Sequence, residues 1–113
     1  MAESCIFCRI AHGEIPAQMV ANNKEIAAFR DLNPQAPVHI LIIPKKHIRS
    51  LDDANDFELV GRMFALAAAI ARQEKVSKEG YRTVINTGKN GGQSVDHLHI
   101  HLLGGREMSW PPG

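Results

Sequence analysis

Gly88-Lys89-Asn90-Gly91-Gly92-Gln93-Ser94-Val95-Asp96-His97-Leu98-His99-Ile100-His101-Leu102-Leu103 is the stretch whose reading decides the fold. Its second half alternates strictly between imidazole and aliphatic side chains, the period of a half-buried strand. A strand over 97–103 sends His97, His99 and His101 to one face and Leu98, Ile100 and Leu102 to the other. The aliphatic face needs a cover. The imidazole face is poor core material, because every ring nitrogen needs a partner or water.

The cover is legible upstream. Phe57, Val60, Phe64, Ala67 and Ala71 recur at steps of three and four, with Met63 and Ile70 widening the stripe. This spacing predicts one long amphipathic helix, with Asp52 or Asp53 as its cap. Residues 38–43, rich in Val, Ile and Leu and ending at Pro44, read as a buried central strand that carries His39. Weaker strands are expected at 17–21 and 25–30, joined by the Asn22-Asn23-Lys24 turn, and at 81–86 after Gly80. Residues 5–12 suit a short N-terminal helix stopped by Gly13 and Pro16. Two prolines make 31–37 a loop, and the tail from Gly104 onward is irregular. Strands grouped around one helix predict an α+β fold with a largely antiparallel sheet.

The chain has 113 residues, which is the size of a single domain, 1–113, with its own core. Thirteen basic and twelve acidic residues give a net charge of +1. Such a balance argues against a nucleic-acid binder, which carries a basic surplus. No apolar stretch approaches the roughly 20 residues of a membrane span. The start, Met1-Ala2-Glu3-Ser4-Cys5, lacks the charged and apolar regions of a signal peptide, so a cytoplasmic location is expected.

Three imidazoles on one strand face, next to a glycine-rich loop, point to phosphate chemistry. A neutral imidazole attacks phosphorus near neutral pH, and flanking donors stabilise the charge that builds on the oxygens. Glycines let backbone N–H groups approach an anion, although no P-loop lysine pattern is present. One metal cannot take all three rings, because three alternate residues span about 13 Å of strand. Cys5 and Cys8 share a helical face and supply half of a tetrahedral zinc site. His12, His39, His47 and His97 are the candidates for the other half. On spacing alone, Asp31 opens the Asn33-Pro34 turn, Asn86 ends its strand and His39 is a core histidine.

The pattern His97-Leu98-His99-Ile100-His101-Leu102-Leu103 resembles that of the histidine triad superfamily. Asp31-Leu32-Asn33-Pro34-Gln35-Ala36-Pro37-Val38-His39, Ile43-Pro44-Lys45-Lys46-His47-Ile48, Gly91-Gly92-Gln93-Ser94-Val95, Leu103-Gly104-Gly105-Arg106 and Trp110-Pro111-Pro112-Gly113 are similar to its Hint branch, the histidine triad nucleotide-binding proteins. The resemblance implies a five-stranded antiparallel sheet with one long and one short helix, and a homodimer with a ten-stranded sheet. It implies hydrolysis of purine nucleoside 5′-phosphoramidates, with acyl-adenylates as a related class, through a covalent nucleotidyl-histidine at His99.

His101 and His39 correspond to supporting histidines, Ser94 to the leaving-group contact and Asn86 to a phosphate contact. Asp31 corresponds to the ribose-binding carboxylate. Leu32, with Phe7 and Ile10, corresponds to the base pocket, and Gly92 and Gln93 to the nucleotide loop. Trp110 lies in the segment that reaches the neighbouring protomer's site. Zinc-containing relatives pair the two cysteines with histidines that correspond to His47 and His97, a structural site. Asp96 and Ser109 depart from the pattern without touching the nucleophile. Two rival readings are a metal-dependent phosphohydrolase built on the histidine row and a purine nucleotide-binding regulatory module with little turnover.

Overall fold

The computed structural model describes residues 4–113. The leader reading rests partly on residues 1–3, which lie outside the described residues. Five strands, β1 (Met19–Asn22), β2 (Ile26–Arg30), β3 (Val38–Pro44), β4 (Tyr81–Val84) and β5 (Ile100–Gly104), form one antiparallel sheet in the order β1-β2-β3-β5-β4. Three helices accompany it: α1 (Ile6–Ala11), α2 (Phe57–Gln73) and the single turn α3 (Gly88–Gly91).

The β3–β5 register explains the two faces. Ile40 lies opposite Leu102 and Ile42 opposite Ile100. These four, with Leu98, pack under Val60, Met63, Ala67, Ile70 and Ala71 of α2, as the alternation predicts. The odd positions face the other way. Leu41 lies opposite His101 and His39 opposite Leu103. On this face Leu41, Ile43, Ala27 and Phe29 pack under Phe7 and Ala11 of α1. The long helix therefore closes the aliphatic face, and the short helix covers only part of the histidine face.

Several boundaries differ from the sequence reading. Asp56 caps α2 by accepting from the Leu59 N–H (3.1 Å). Asp52 and Asp53 instead form a 3-10 turn, Leu51–Asp53, in which the Ser50 hydroxyl donates to Asp53. Phe57 and Phe64 lie at the edge of the helical stripe and are exposed, while Leu59, which the stripe did not include, takes a core position beside the expected Met63. Strand β4 ends at Val84, and the glycine-rich stretch contains the helical turn α3. Regular pairing in β5 begins only at Ile100. His97 and His99 precede it, where the chain is tied instead by the Leu98 N–H to the Ile48 carbonyl (2.7 Å). No helix among the described residues is long and apolar enough to cross a membrane.

Candidate active site

His97, His99 and His101 share one stretch of chain but serve two different places. His97 turns toward α1. Its Nε2 lies 2.8 Å from the Pro44 carbonyl, which only accepts, so Nε2 carries the proton. Nδ1 is therefore the lone-pair atom. It lies 3.3 Å from Cys5 Sγ and 3.5 Å from Cys8 Sγ, and His47 Nδ1 lies 3.2 Å from Cys8 Sγ. For a metal bound by two thiolates and two imidazoles in a tetrahedron, the sulfur–nitrogen edges are about 3.6 Å. The donors of Cys5, Cys8, His47 and His97 thus fit a zinc ion. His12 is elsewhere, with its Nδ1–H on the Cys8 carbonyl (2.8 Å). Of the four histidines open as ligands on spacing, the fold selects His47 and His97.

His99 packs against Phe7, whose ring also meets His97. Its Nδ1 is 2.7 Å from the His97 carbonyl, so the proton is on Nδ1 and the lone pair on Nε2. The Phe7 ring meets it edge-on with a centroid separation of 5.1 Å, and His101 packs on it at 4.8 Å. Burial lowers the His99 pKa, opposed by its bond to the His97 carbonyl and by the Asp31 charge. Burial thus favours the neutral ring, the form in which an imidazole is nucleophilic.

A second tautomer chain fixes His101. The Gln35 N–H donates to His39 Nδ1 (3.0 Å), which leaves the His39 proton on Nε2. That proton faces His101 Nδ1 at 2.9 Å, so His101 carries its own proton on Nε2. Asp31 lies 3.5 Å from His39 Nε2 and tethers its other oxygen to the Asn33 N–H. Burial pushes His101 down to about 4, aided by His99 and His39, and burial also lowers His39 against the pull of Asp31. Asp31, His39 and His101 bring donor atoms close enough for a metal. The Gln35 N–H argues against that use, because it holds the proton on the very His39 nitrogen that a metal would need. The trio is wired for hydrogen bonding.

A pocket of about 300 Å³ adjoins these rings. Its floor and walls include Phe7, Ile10, Phe29 and Leu41, and its polar side holds Asp31, Ser94, His99 and His101. Leu32 stands at its rim, 98% exposed. Of the other residues singled out in the sequence, Asn86 is half-buried beside the backbone of Gly91, away from the pocket lining. Gly92 adopts φ 77° and donates its N–H to the Lys89 carbonyl, and the Gln93 side chain bonds to the Gly88 N–H of its own loop and to the Arg49 carbonyl in the segment after β3. Trp110 is 83% exposed, and the tail before it is pinned to β4 by Arg82 donating to the Ser109 carbonyl (2.9 Å). Sequence reasoning missed the groups that set the tautomers, the Pro44 and His97 carbonyls and the Gln35 amide. They are backbone atoms and have no signature in residue type.

The HIT domain family profile matches residues 12–108. The chain is 48% identical over 110 residues to the purine nucleoside phosphoramidase of Escherichia coli, covering 96% of this chain and 92% of that protein. It is 49% identical over 112 residues to the 14 kDa zinc-binding protein of Zea mays, covering 96% and 87%. Among solved structures, the HIT family hydrolase of Legionella pneumophila superposes with a TM-score of 0.94 at 54% identity, covering 97% of this chain and all of the other. With its sheet order, its histidine row and these likenesses in agreement, the chain belongs to the HIT domain family.

Proposed function

We propose that this protein is a hydrolase that attacks the α-phosphorus of purine nucleoside 5′-phosphoramidates with His99 Nε2 and releases the nucleoside monophosphate. Acyl-adenylates are the related substrate class. The observation that carries the reading is the 2.7 Å contact from His99 Nδ1 to the His97 carbonyl, which leaves Nε2 unprotonated in a ring that lines the pocket. The identity to an Escherichia coli protein named for this activity supports it.

The apolar pocket takes the purine, and the Asp31 carboxylate accepts from the ribose hydroxyls. His99 Nε2 forms a bond to phosphorus as the P–N bond breaks, giving a nucleotidyl-histidine. The amine leaves with a proton that the Ser94 hydroxyl passes on while taking one from water. Water then adds to phosphorus, the electron pair of the P–Nε2 bond returns to the ring, and a proton is released. His101 Nε2–H donates to a phosphate oxygen through both steps, held in that tautomer by His39. Ser94, which follows Gly92 and Gln93 in the glycine-rich loop, borders the phosphate side.

The Cys5, Cys8, His47 and His97 group holds zinc. Four protein donors leave no open position, so the ion supplies stability by pinning α1 to the sheet. The name of the Zea mays relative is consistent with this assignment.

Two copies join into a homodimer. Strand β4 is an open sheet edge, and Tyr81, Phe57 and Phe64 are exposed beside it and along α2. Pairing at that edge makes a ten-stranded sheet and carries Trp110 toward the second copy, because Arg82 anchors the tail to β4.

The test is nucleoside monophosphate release from adenosine 5′-phosphoramidate by the wild type and His99→Asn, with and without EDTA. Asparagine keeps a donor for the His97 carbonyl but has no nucleophilic nitrogen. Turnover that survives EDTA and drops by more than about 100-fold in His99→Asn, about 3 kcal/mol or more of transition-state stabilisation, is the expected result. Turnover abolished by EDTA in a folded protein would favour a metal-dependent phosphohydrolase. An inactive wild type that still binds purine nucleotides would favour a regulatory module.

A further inference from the structure

Gln93 directs every donor it has into the backbone around it. Its Nε2 donates to the Arg49 carbonyl (2.7 Å) and to the Val95 carbonyl (3.0 Å). Its Oε1 accepts from the Gly88 N–H (2.9 Å). Its own backbone N–H donates to the Gly88 carbonyl (3.1 Å). One side chain thus ties together three stretches of chain: the segment that leaves β3, the start of α3 and the approach to the histidine row. The loop it braces turns through Gly88 and Gly92, both at positive φ. The following residue is Ser94, exposed at the pocket rim beside His99 and His101.

A nucleotide contact from the Gln93 amide would require breaking its bonds to the Arg49 and Val95 carbonyls. We propose that Gln93 is a positioning residue, one that holds Ser94 at the leaving-group side of the phosphorus and touches no part of the substrate. The inference rests on the phosphoramidate reading above. Its chemical consequence is selective. An amine leaves phosphorus only as it gains a proton, so a displaced Ser94 slows that departure. A p-nitrophenolate leaves without one. Nucleotide affinity comes from Asp31 and the apolar pocket, whose lining does not include Gln93.

Gln93→Glu keeps an acceptor for Gly88 but sets a carboxylate against the Arg49 and Val95 carbonyls. Gln93→Ala removes all three side-chain bonds. The experiment compares both variants, Ser94→Ala and the Gln93→Ala/Ser94→Ala pair on two substrates, adenosine 5′-phosphoramidate and the p-nitrophenyl ester of AMP. Thermal melting and amide exchange of residues 88–95 are followed in parallel.

The expected result is a fall in kcat on the phosphoramidate of about 30-fold for Gln93→Glu, the equivalent of two neutral hydrogen bonds, and at least as large for Gln93→Ala, which loses three. KM is unchanged, the ester rate stays within about threefold, and exchange in the loop quickens. The double variant loses no more than Ser94→Ala alone, because Gln93 acts through Ser94. Equal losses on both substrates would overturn the inference and make Gln93 a general support of the fold. A raised KM with unchanged kcat would also overturn it and make Gln93 a nucleotide contact. A wild type that turns over neither compound would instead overturn the proposed activity, and the leaving-group role with it.

Discussion

Chelation of the zinc proposed at Cys5, Cys8, His47 and His97 should separate stability from chemistry. The four donor atoms lie within 4.8 Å of one another and join α1 to the segment after β3 and to the start of the histidine row. In an unfolded chain they are dispersed over 92 positions, so the ion binds the native state far better. At a free zinc concentration about 1,000-fold above Kd, the linkage stabilises the fold by about 4 kcal/mol. A chain of 113 residues has an unfolding entropy of about 0.24 kcal/mol/K at its midpoint. Removing the metal should therefore lower Tm by about 15–20 °C. Folded domains of this size have about 5–15 kcal/mol in hand, so the metal-free protein remains folded at room temperature.

His99, His101 and Asp31 line the pocket and the two thiolates do not, so turnover at room temperature should persist. The assay is differential scanning calorimetry of protein loaded with one equivalent of zinc, before and after dialysis against chelator. Cobalt substitution gives a second readout through thiolate-to-metal absorption. An unchanged Tm on chelation, with no cobalt–thiolate band, would refute a structural metal at these residues. A lost rate at an unchanged Tm would refute the separation of the two sites.

Gly104→Ala places a Cβ 2.9 Å from two side-chain atoms of Val76, one of them its Cβ, which cannot swing away. The expected loss is about 1–3 kcal/mol by urea denaturation, recovered in part by adding Val76→Ala. The buried histidines give stability a pH slope. Burial pushes His101 down to about 4 in the fold against the ordinary imidazole value of 6.5, and His39 is also lowered, so the unfolded chain binds more protons between those values. Stability is full above 6.5 and falls as the pH drops toward about 4, and a flat urea midpoint over that window would contradict the burial of these rings. Asp31→Asn keeps the turn at Asn33 but removes the anionic acceptor for the ribose hydroxyls. Its KM for adenosine 5′-phosphoramidate should rise about 10-fold with a smaller change in kcat, since a hydrogen bond to a charged group contributes roughly 1.5 kcal/mol; an unchanged KM would remove Asp31 from the ribose site.

Period was the reliable guide along this chain. The two-residue alternation from His97 onward and the three-to-four spacing of α2 place Leu98, Ile100 and Leu102 under the helix that covers them. Both patterns follow from local geometry, so they are written in the order of residue types. The stripe misled only at its margin, where Phe57 and Phe64 are exposed and Leu59, outside the predicted stripe, is buried. Spacing cannot show how far around the helix the sheet reaches. The resemblance of the histidine row to a known family supplied the candidate nucleophile, and the fold agreed with the ligand set it implied by bringing His47 and His97 to the cysteines.

What the residue types could not say is which nitrogen of each ring carries the proton. His97 and His99 are the same residue two positions apart, and one offers Nδ1 while the other keeps Nε2. The difference comes from the Pro44 carbonyl in one case and the His97 carbonyl in the other. His101 takes its tautomer from His39, and His39 from the amide of Gln35. Gln93, similar by sequence to a nucleotide-loop residue, turns to the carbonyls of Arg49 and Val95. Sequence determined which side chains share a face, because alternation and helical spacing are local. Only the tertiary structure decided their protonation and partners, because those depend on backbone groups brought near by packing, and every residue's backbone is alike.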